Sequence, residues 1–266
     1  VIGLCRFSYP AIGGFQVDHN AIADRISYLY APERLSERFR LFETVSLPGL
    51  RAQTDQDFTL LIAIGDSLPK LHVDRLHDLT HGMPQVRIVA RGPQRHRAVM
   101  KDLLNAARLS PDQPCIQFRH DDDDAVSLDF VERLRQTASD SSGLLRSNRT
   151  VALDFNRGYV AEFGSDGVSA AEQVRPLCAV ALAMHVAPKC NQTIMNFAHH
   201  KMGQFMPVIS QTDEPMWVRS HNAYNDSRQK NAKQVPVAPL TPDQERDFAI
   251  RFAIDADQVR RVFGSA

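Results

Sequence analysis

The sequence predicts an α/β fold, an open sheet flanked by helices, on three observations. Apolar runs of strand length alternate with amphipathic stretches of helical period through the first half of the chain. The composition is ordinary for a globular protein, 43% hydrophobic and 23% charged over 266 residues, so a chain of this size can bury a large core. Four consecutive aspartates, Asp121 to Asp124, follow an apolar run. Open α/β sheets hold their ligands just past the C-terminal ends of strands.

Taken in order, Val1 to Cys5 reads as a strand that runs into a loop at Arg6-Phe7-Ser8-Tyr9-Pro10. Leu35, Phe39, Phe42 and Val45 recur at helical spacing, so a helix is expected from about 33 to 46, with Pro48 helping to end it. A second helical stretch, Leu47 to Gln53, precedes a buried strand at Phe58 to Ile64, closed by Gly65-Asp66-Ser67. The pattern repeats: helix Lys70 to Leu79, strand Val86 to Ala90, helix Arg97 to Arg108, strand Cys115 to Phe118, helix Leu128 to Ala138. Beyond Leu144 strands are expected at Thr150 to Phe155, Tyr159 to Phe163, Ala179 to Val186 and Pro215 to Arg219, with a helix at Thr193 to Met202. A polar stretch, His221 to Lys233, leads to a helical tail that starts at Thr241-Pro242-Asp243. The reading is a domain over 1–235, in two halves 1–139 and 140–235, with a C-terminal helical appendage over 236–266.

Thirty-one Lys plus Arg balance thirty-one Asp plus Glu, which excludes a polybasic nucleic-acid binder. Cys5, Cys115, Cys178 and Cys190 form no CxxC pair, so buried free thiols are expected rather than a zinc knuckle. No apolar run approaches the roughly 20 residues of a membrane span, and no charged-then-apolar leader opens the chain. A soluble cytoplasmic protein is expected, with contact at the inner face of the membrane left open.

The aspartate tetrad needs a physical reason, because neighbouring like charges repel. One reason is a hard divalent cation, which takes carboxylate oxygens and keeps room for phosphate oxygens. The other is a solvated acidic loop in which Asp124 or Asp129 caps the next helix.

Two blocks bring further context: Leu47-Pro48-Gly49-Leu50-Arg51-Ala52-Gln53-Thr54-Asp55-Gln56-Asp57-Phe58, and Asp121 to Val131 after the fourth strand. Together they resemble the nucleotide-sugar glycosyltransferases of the GT-A fold, especially family 2. With Arg6-Phe7-Ser8 and the late His221-Asn222-Ala223-Tyr224-Asn225-Asp226-Ser227-Arg228, the chain is similar to a bacterial group described as rhamnosyl transferases. The resemblance implies a GT-A-like mixed sheet and transfer of a sugar from a nucleoside-diphosphate donor to a glycan or lipid-linked acceptor. Rhamnose enters only through that resemblance.

Residue by residue, the resemblance makes Asp121 and Asp123 the D-x-D pair for Mn or Mg, with Asp123 the direct ligand, Asp121 on the ribose or a metal-bound water, His221 a further ligand, and Asp122 and Asp124 in support. Phe7 and Ser8 would border the base or ribose and Asp66 would meet the base, although this strand ends Ile64-Gly65-Asp66-Ser67 where the family has Asp-Asp-Gly-Ser. Arg6 lies at the same predicted edge, and Arg228 would clamp the diphosphate. Inverting members carry an acidic base near the start of the late helix, but this chain has Cys190-Asn191-Gln192-Thr193 there. Asp154, at a strand end, is the candidate base, with His199 and His200 as alternatives, and the stereochemical course stays open.

Two rivals remain at this level. Asp122-Asp123-Asp124-Ala125-Val126 literally fits the first motif of haloacid-dehalogenase phosphatases, though that motif normally lies near the N-terminus. A non-catalytic nucleotide-sugar-binding domain is the second.

Overall fold

The computed structural model describes residues 1–13, 21–222 and 235–265. The opening apolar run forms β1 (Ile2–Arg6), followed by α1 (Ile22–Leu29), which the sequence did not announce, and α2 (Pro32–Leu41). Pro48 does not end this helix. A wide π turn, Phe42–Ser46, carries it into α3 (Leu47–Arg51). Pro48 there occupies the first turn of α3, where the missing N–H and the fixed φ are tolerated. Gly49 is needed for closeness: a Cβ would lie 2.7 Å from the Val126 carbonyl oxygen.

Then come β2 (Thr59–Gly65), α4 (Lys70–Leu79), β3 (Val86–Arg91), α5 (His96–Ala106) and β4 (Cys115–Asp121), near their expected places. The short β5 (Ala125–Val126) precedes α6 (Phe130–Asp140), α7 (Ser142–Ser147) and β6 (Thr150–Phe155). Next, β7 (Arg157–Gly164) and β8 (Gly167–Val174) form a hairpin whose turn requires Gly167 at φ +106°. The strand β9 (Leu182–Val186) starts later than expected because Ala181 is in the left-handed region, at φ +54°. The helix expected at Thr193 to Met202 is instead two 3₁₀ turns, Ile194–Asn196 and His199–Gln204. Thr193 and Asn196 bond each other's backbone there, offering an alternative to a continuing α-helix. The chain ends with β10 (Val208–Gln211), β11 (Trp217–Ser220), β12 (Ala238–Pro239), α8 (Pro242–Phe252) and α9 (Ala256–Gly264).

Among the described residues the strands make two sheets. The larger has the order β10-β6-β9-β4-β1-β2-β3; it is mixed, since β4 and β6 both pair antiparallel with β9 while β4, β1, β2 and β3 are parallel. The smaller has the order β12-β8-β7-β11-β5. One core covers the large-sheet face that carries Cys5, Ile62 and Phe118, and another the face that carries Leu4, Ala63 and Met184. The C-terminal helices close a third core, where Phe248, Phe252 and Val259 meet Leu41, Val45, Ala125 and Val218. The appendage thus covers the smaller sheet. Cys5, Cys178 and Cys190 are buried and all four thiols are free. Among the described residues no helix is long and apolar enough to cross a membrane.

Candidate active site

The sheet order reverses beside β1: β2 and β3 lie on one side of it and β4 on the other. Such a reversal opens a crevice outside the C-terminal strand ends. In the register of β1 and β4, Leu4 faces Arg119 and Arg6 faces Asp121. Strand alternation therefore sends Arg6, Arg119 and Asp121 to one face of the sheet, and Cys5 and His120 to the other.

The end of β4 divides the aspartate tetrad: Asp121 is its last residue and Asp122 to Asp124 lie in the turn that follows. Asp121 is exposed to a cavity of about 230 Å³ that it shares with Arg6, Arg119, Arg219, His96 and His199. Asp122, at 0% exposure, turns to α2, where Arg38 Nε lies 3.3 Å from Oδ2 and the guanidinium forms an ion pair with Oδ1. Arg38 Nη1 also donates to Asp123 Oδ2 at 2.8 Å, an oxygen that also accepts Asn222 Nδ2–H at 2.8 Å. Asp124 Oδ1 accepts the Ser220 N–H at 3.0 Å. Asp122, Asp123 and Asp124 are all buried, so a solvated acidic loop is excluded. Asp129 stands at the N-terminus of α6 without a capping hydrogen bond from its side chain.

The electrostatics follow from this sorting. Desolvation by the cavity walls opposes ionisation of Asp121, but Arg6, Arg38, Arg119 and Arg219 together outweigh it and hold its pKa below the ordinary carboxylate value. Asp124 goes the other way, raised well above that value by burial and by Asp123 and Asp121. His96 Nε2 lies 3.1 Å from Arg6 Nη1; a guanidinium can only donate, so the imidazole accepts and is neutral. Burial, reinforced by Arg6 and Arg119, pushes the His96 pKa down to about 3. Arg119 Nε and Nη2 are sealed from solvent with no hydrogen-bond partner among the described residues. Burial lowers the pKa of Arg119 against the pull of Asp121.

The remaining expected site residues divide. Phe7 does not border a ligand: it is fully buried, with its ring 4.8 Å from Phe39 and 5.5 Å from Phe42. Ser8, at φ +46°, is buried too and accepts Arg34 Nη1–H at 3.0 Å. Asp66 is exposed beside Gly92, after the end of β2, and does not line the cavity. Asp154 is 2% exposed, with Oδ1 accepting the Leu177 N–H and Oδ2 accepting the Ser210 hydroxyl, so it cannot meet an acceptor directly. Its pKa is raised by burial against those two bonds. His221 follows β11 as expected, its N–H on the Ala161 carbonyl; burial, with Arg219 and Arg175, keeps its ring below the ordinary histidine pKa. Arg228 lies outside the described residues.

Sequence reasoning missed Arg38, Arg119, His96 and Asn222. Arg119 was legible in principle, two positions before Asp121 on a strand and hence on the same face. The LPGLRAQT block proves to be a buttress. Gln53 Nε2 donates to the Gly49 and Ser127 carbonyls at 2.9 and 2.7 Å, while its Oε1 accepts the Val131 N–H at 2.9 Å. The first block is thereby stitched to the segment just after the tetrad.

The fit to a divalent cation rests on the carboxylates. Among the described residues no three of His, Cys, Asp and Glu converge into a protein-only metal cage, so His221 is not gathered with Asp121 and Asp123. Among the described residues Asp121 alone presents an exposed, ionised carboxylate to the cavity. That suits the mode in which one or two carboxylates and substrate phosphates share the ion.

A family model described as "Putative rhamnosyl transferase" matches residues 1–234. The chain belongs to that family. It is therefore a glycosyltransferase-family protein, and the phosphatase reading falls: Asp122, which would be the nucleophile, is sealed against Arg38. No curated protein matches the chain. Among solved structures it is similar to S. aureus TarS, at 8% identity and a TM-score of 0.45 over 83% of this chain and 36% of that one. It is also similar to S. aureus TarS 1–349 in complex with UDP, at 9% identity and a TM-score of 0.43 over 83% of this chain and 60% of that one. The same protein in complex with UDP-GlcNAc gives 8% identity and 0.43 over 88% and 61%. The chain thus spans less than two thirds of the length of each.

Proposed function

We propose that the chain transfers a sugar, rhamnose by family membership, from a nucleoside-diphosphate donor to a hydroxyl of a glycan or lipid-linked acceptor in the cytoplasm. The observation that carries this is the cavity at the ends of β1 and β4, where Arg6, Arg119 and Arg219 face one ionised carboxylate. Three guanidinium groups complement a diphosphate. Such fixed charge acts on the leaving diphosphate as negative charge develops there, with no reorganisation needed at the moment of reaction. Asp121, with Asp123 beside it, would hold Mg or Mn, which when bound supplies Lewis-acid stabilisation to that leaving group.

The test is thermal stability with manganese and a panel of nucleoside diphosphates, followed by release of nucleoside diphosphate from nucleotide sugars. Binding raises the midpoint by mass action. Asp121→Asn should lose the manganese-dependent part of the rise. No shift with any nucleotide would overturn the reading, and binding without release would leave a binding domain in place of an enzyme.

A further inference from the structure

The reaction lacks an assigned base, and one side chain of the cavity has the geometry for it. His199 opens a 3₁₀ turn and lines the cavity with Arg119, Asp121 and Arg219. Its Nδ1 is 2.6 Å from the Leu177 carbonyl oxygen. That oxygen can only accept, so Nδ1 carries the hydrogen and Nε2 keeps its lone pair. Among the described residues Nε2 has no hydrogen-bond partner. Leu177 is held in the left-handed region, at φ +54°, where a leucine is rarely found. Its N–H donates to Asp154 Oδ1 at 3.0 Å, and Asp154 Oδ2 accepts the Ser210 hydroxyl at 2.9 Å. One strained residue thus bridges, through its N–H and its C=O, a buried carboxylate to the imidazole, and strain of this kind collects at functional sites.

We infer that His199 is the base that takes the proton from the acceptor hydroxyl, and that Asp154 is a positioning residue acting through the backbone of Leu177. The inference rests on the glycosyl-transfer reading above. The acceptor O–H proton passes to Nε2 while the acceptor oxygen bonds the anomeric carbon. The anomeric C–O bond to the diphosphate breaks, its electron pair leaves with the nucleoside diphosphate, and the proton is later lost to solvent. Direct displacement of this kind inverts the anomeric centre.

Burial, with Arg119, His200 and Arg219 adding to it, outweighs the Leu177 bond and keeps the His199 pKa below its ordinary value. The charged and titratable groups around the ring are Arg119 and Arg219 from β4 and β11, His200 beside it, and Arg6, His96, His120 and Asp121 across the cavity. A base must be neutral, so the rate should rise with pH along an acidic limb centred below about 6.5.

The experiment measures nucleoside-diphosphate release from a panel of UDP-, GDP- and dTDP-sugars with water as acceptor. His199→Gln should slow release about 100-fold or more and remove the acidic limb, while UDP, GDP or dTDP binding stays within about twofold of wild type. Asp154→Ala should slow release about 10-fold and move the ¹⁵N signature of His199 away from the Nδ1–H tautomer, with Asp154→Asn restoring both. Wild-type release with an unchanged limb in His199→Gln, or retention at the anomeric carbon read by NMR before mutarotation, overturns the assignment. If wild type neither binds a nucleotide nor turns over any donor, the glycosyl-transfer reading itself falls, an outcome distinct from an active His199→Gln.

Discussion

Arg119→Met separates a ligand-binding arginine from a structural one by the sign of its effect on stability. In the free protein Nε and Nη2 of Arg119 are sealed from water and unbonded among the described residues. Each buried donor without a partner costs about 1–3 kcal/mol, so the two together cost about 2–6 kcal/mol. Against this stands the attraction of Asp121, which keeps Arg6, Arg38 and Arg219 after the change. Methionine follows the arginine stem without the charge, so the variant should be more stable than wild type by about 1–3 kcal/mol. Urea denaturation at pH 7 with an unchanged m-value reads that difference as a higher midpoint. Calorimetric titration with a nucleoside diphosphate and manganese should show at least a tenfold weaker Kd, about 1.4 kcal/mol. A loss of more than about 1 kcal/mol of stability, or unaltered binding, would refute the reasoning, because an arginine kept for the fold destabilises when removed.

Arg38 supplies the opposite case: it is 3% exposed and bonds both Asp122 and Asp123, so Arg38→Met should cost about 3–5 kcal/mol in the same urea assay. Adding Asp122→Asn should recover at least about 1 kcal/mol, and strict additivity of the two changes would contradict the pairing. His96 and His120 are held, chiefly by burial, at about 3 and about 4, whereas the unfolded chain protonates them near 6.5. Each therefore removes up to about 1.4 kcal/mol of stability per pH unit as pH falls from about 6.5 toward its folded value. The His96→Gln, His120→Gln double variant should show a flatter stability profile between pH 6 and 4.5 than wild type; equal slopes would reject the account. Gln53→Ala removes three hydrogen bonds in a buried position and should lower stability by about 2–4 kcal/mol, visible as a fall in the thermal midpoint.

The regular first half was legible because its signals are local. The apolar runs at Ile2, Thr59 and Cys115 cannot be exposed, and the periodic leucines and phenylalanines between them can only pack as helices on that sheet. Elements without such a signal were missed. The strand β8 carries Ser, Ala, Glu and Gln in place of a clear alternation, and β5 has two residues that pair only because β11 lies beside them. Pro48 misled because the π turn before it cannot be read from residue types.

The sequence by itself determined the α/β class, the position of the acidic group at a strand end, and the family, since period, order and motif are properties of neighbours along the chain. Only the tertiary structure decided what each aspartate does. Four identical side chains in a row divide between a cavity, a helix and a strand end because β4 stops at Asp121 and the turn after it carries the next three into the interior. Partners 84 and 96 residues away in sequence, Arg38 for Asp122 and Ser220 for Asp124, then fix their charge states. The same holds for His199, an ordinary histidine until the fold brings Leu177 and, behind it, Asp154 to one side of its ring and leaves Nε2 for a substrate.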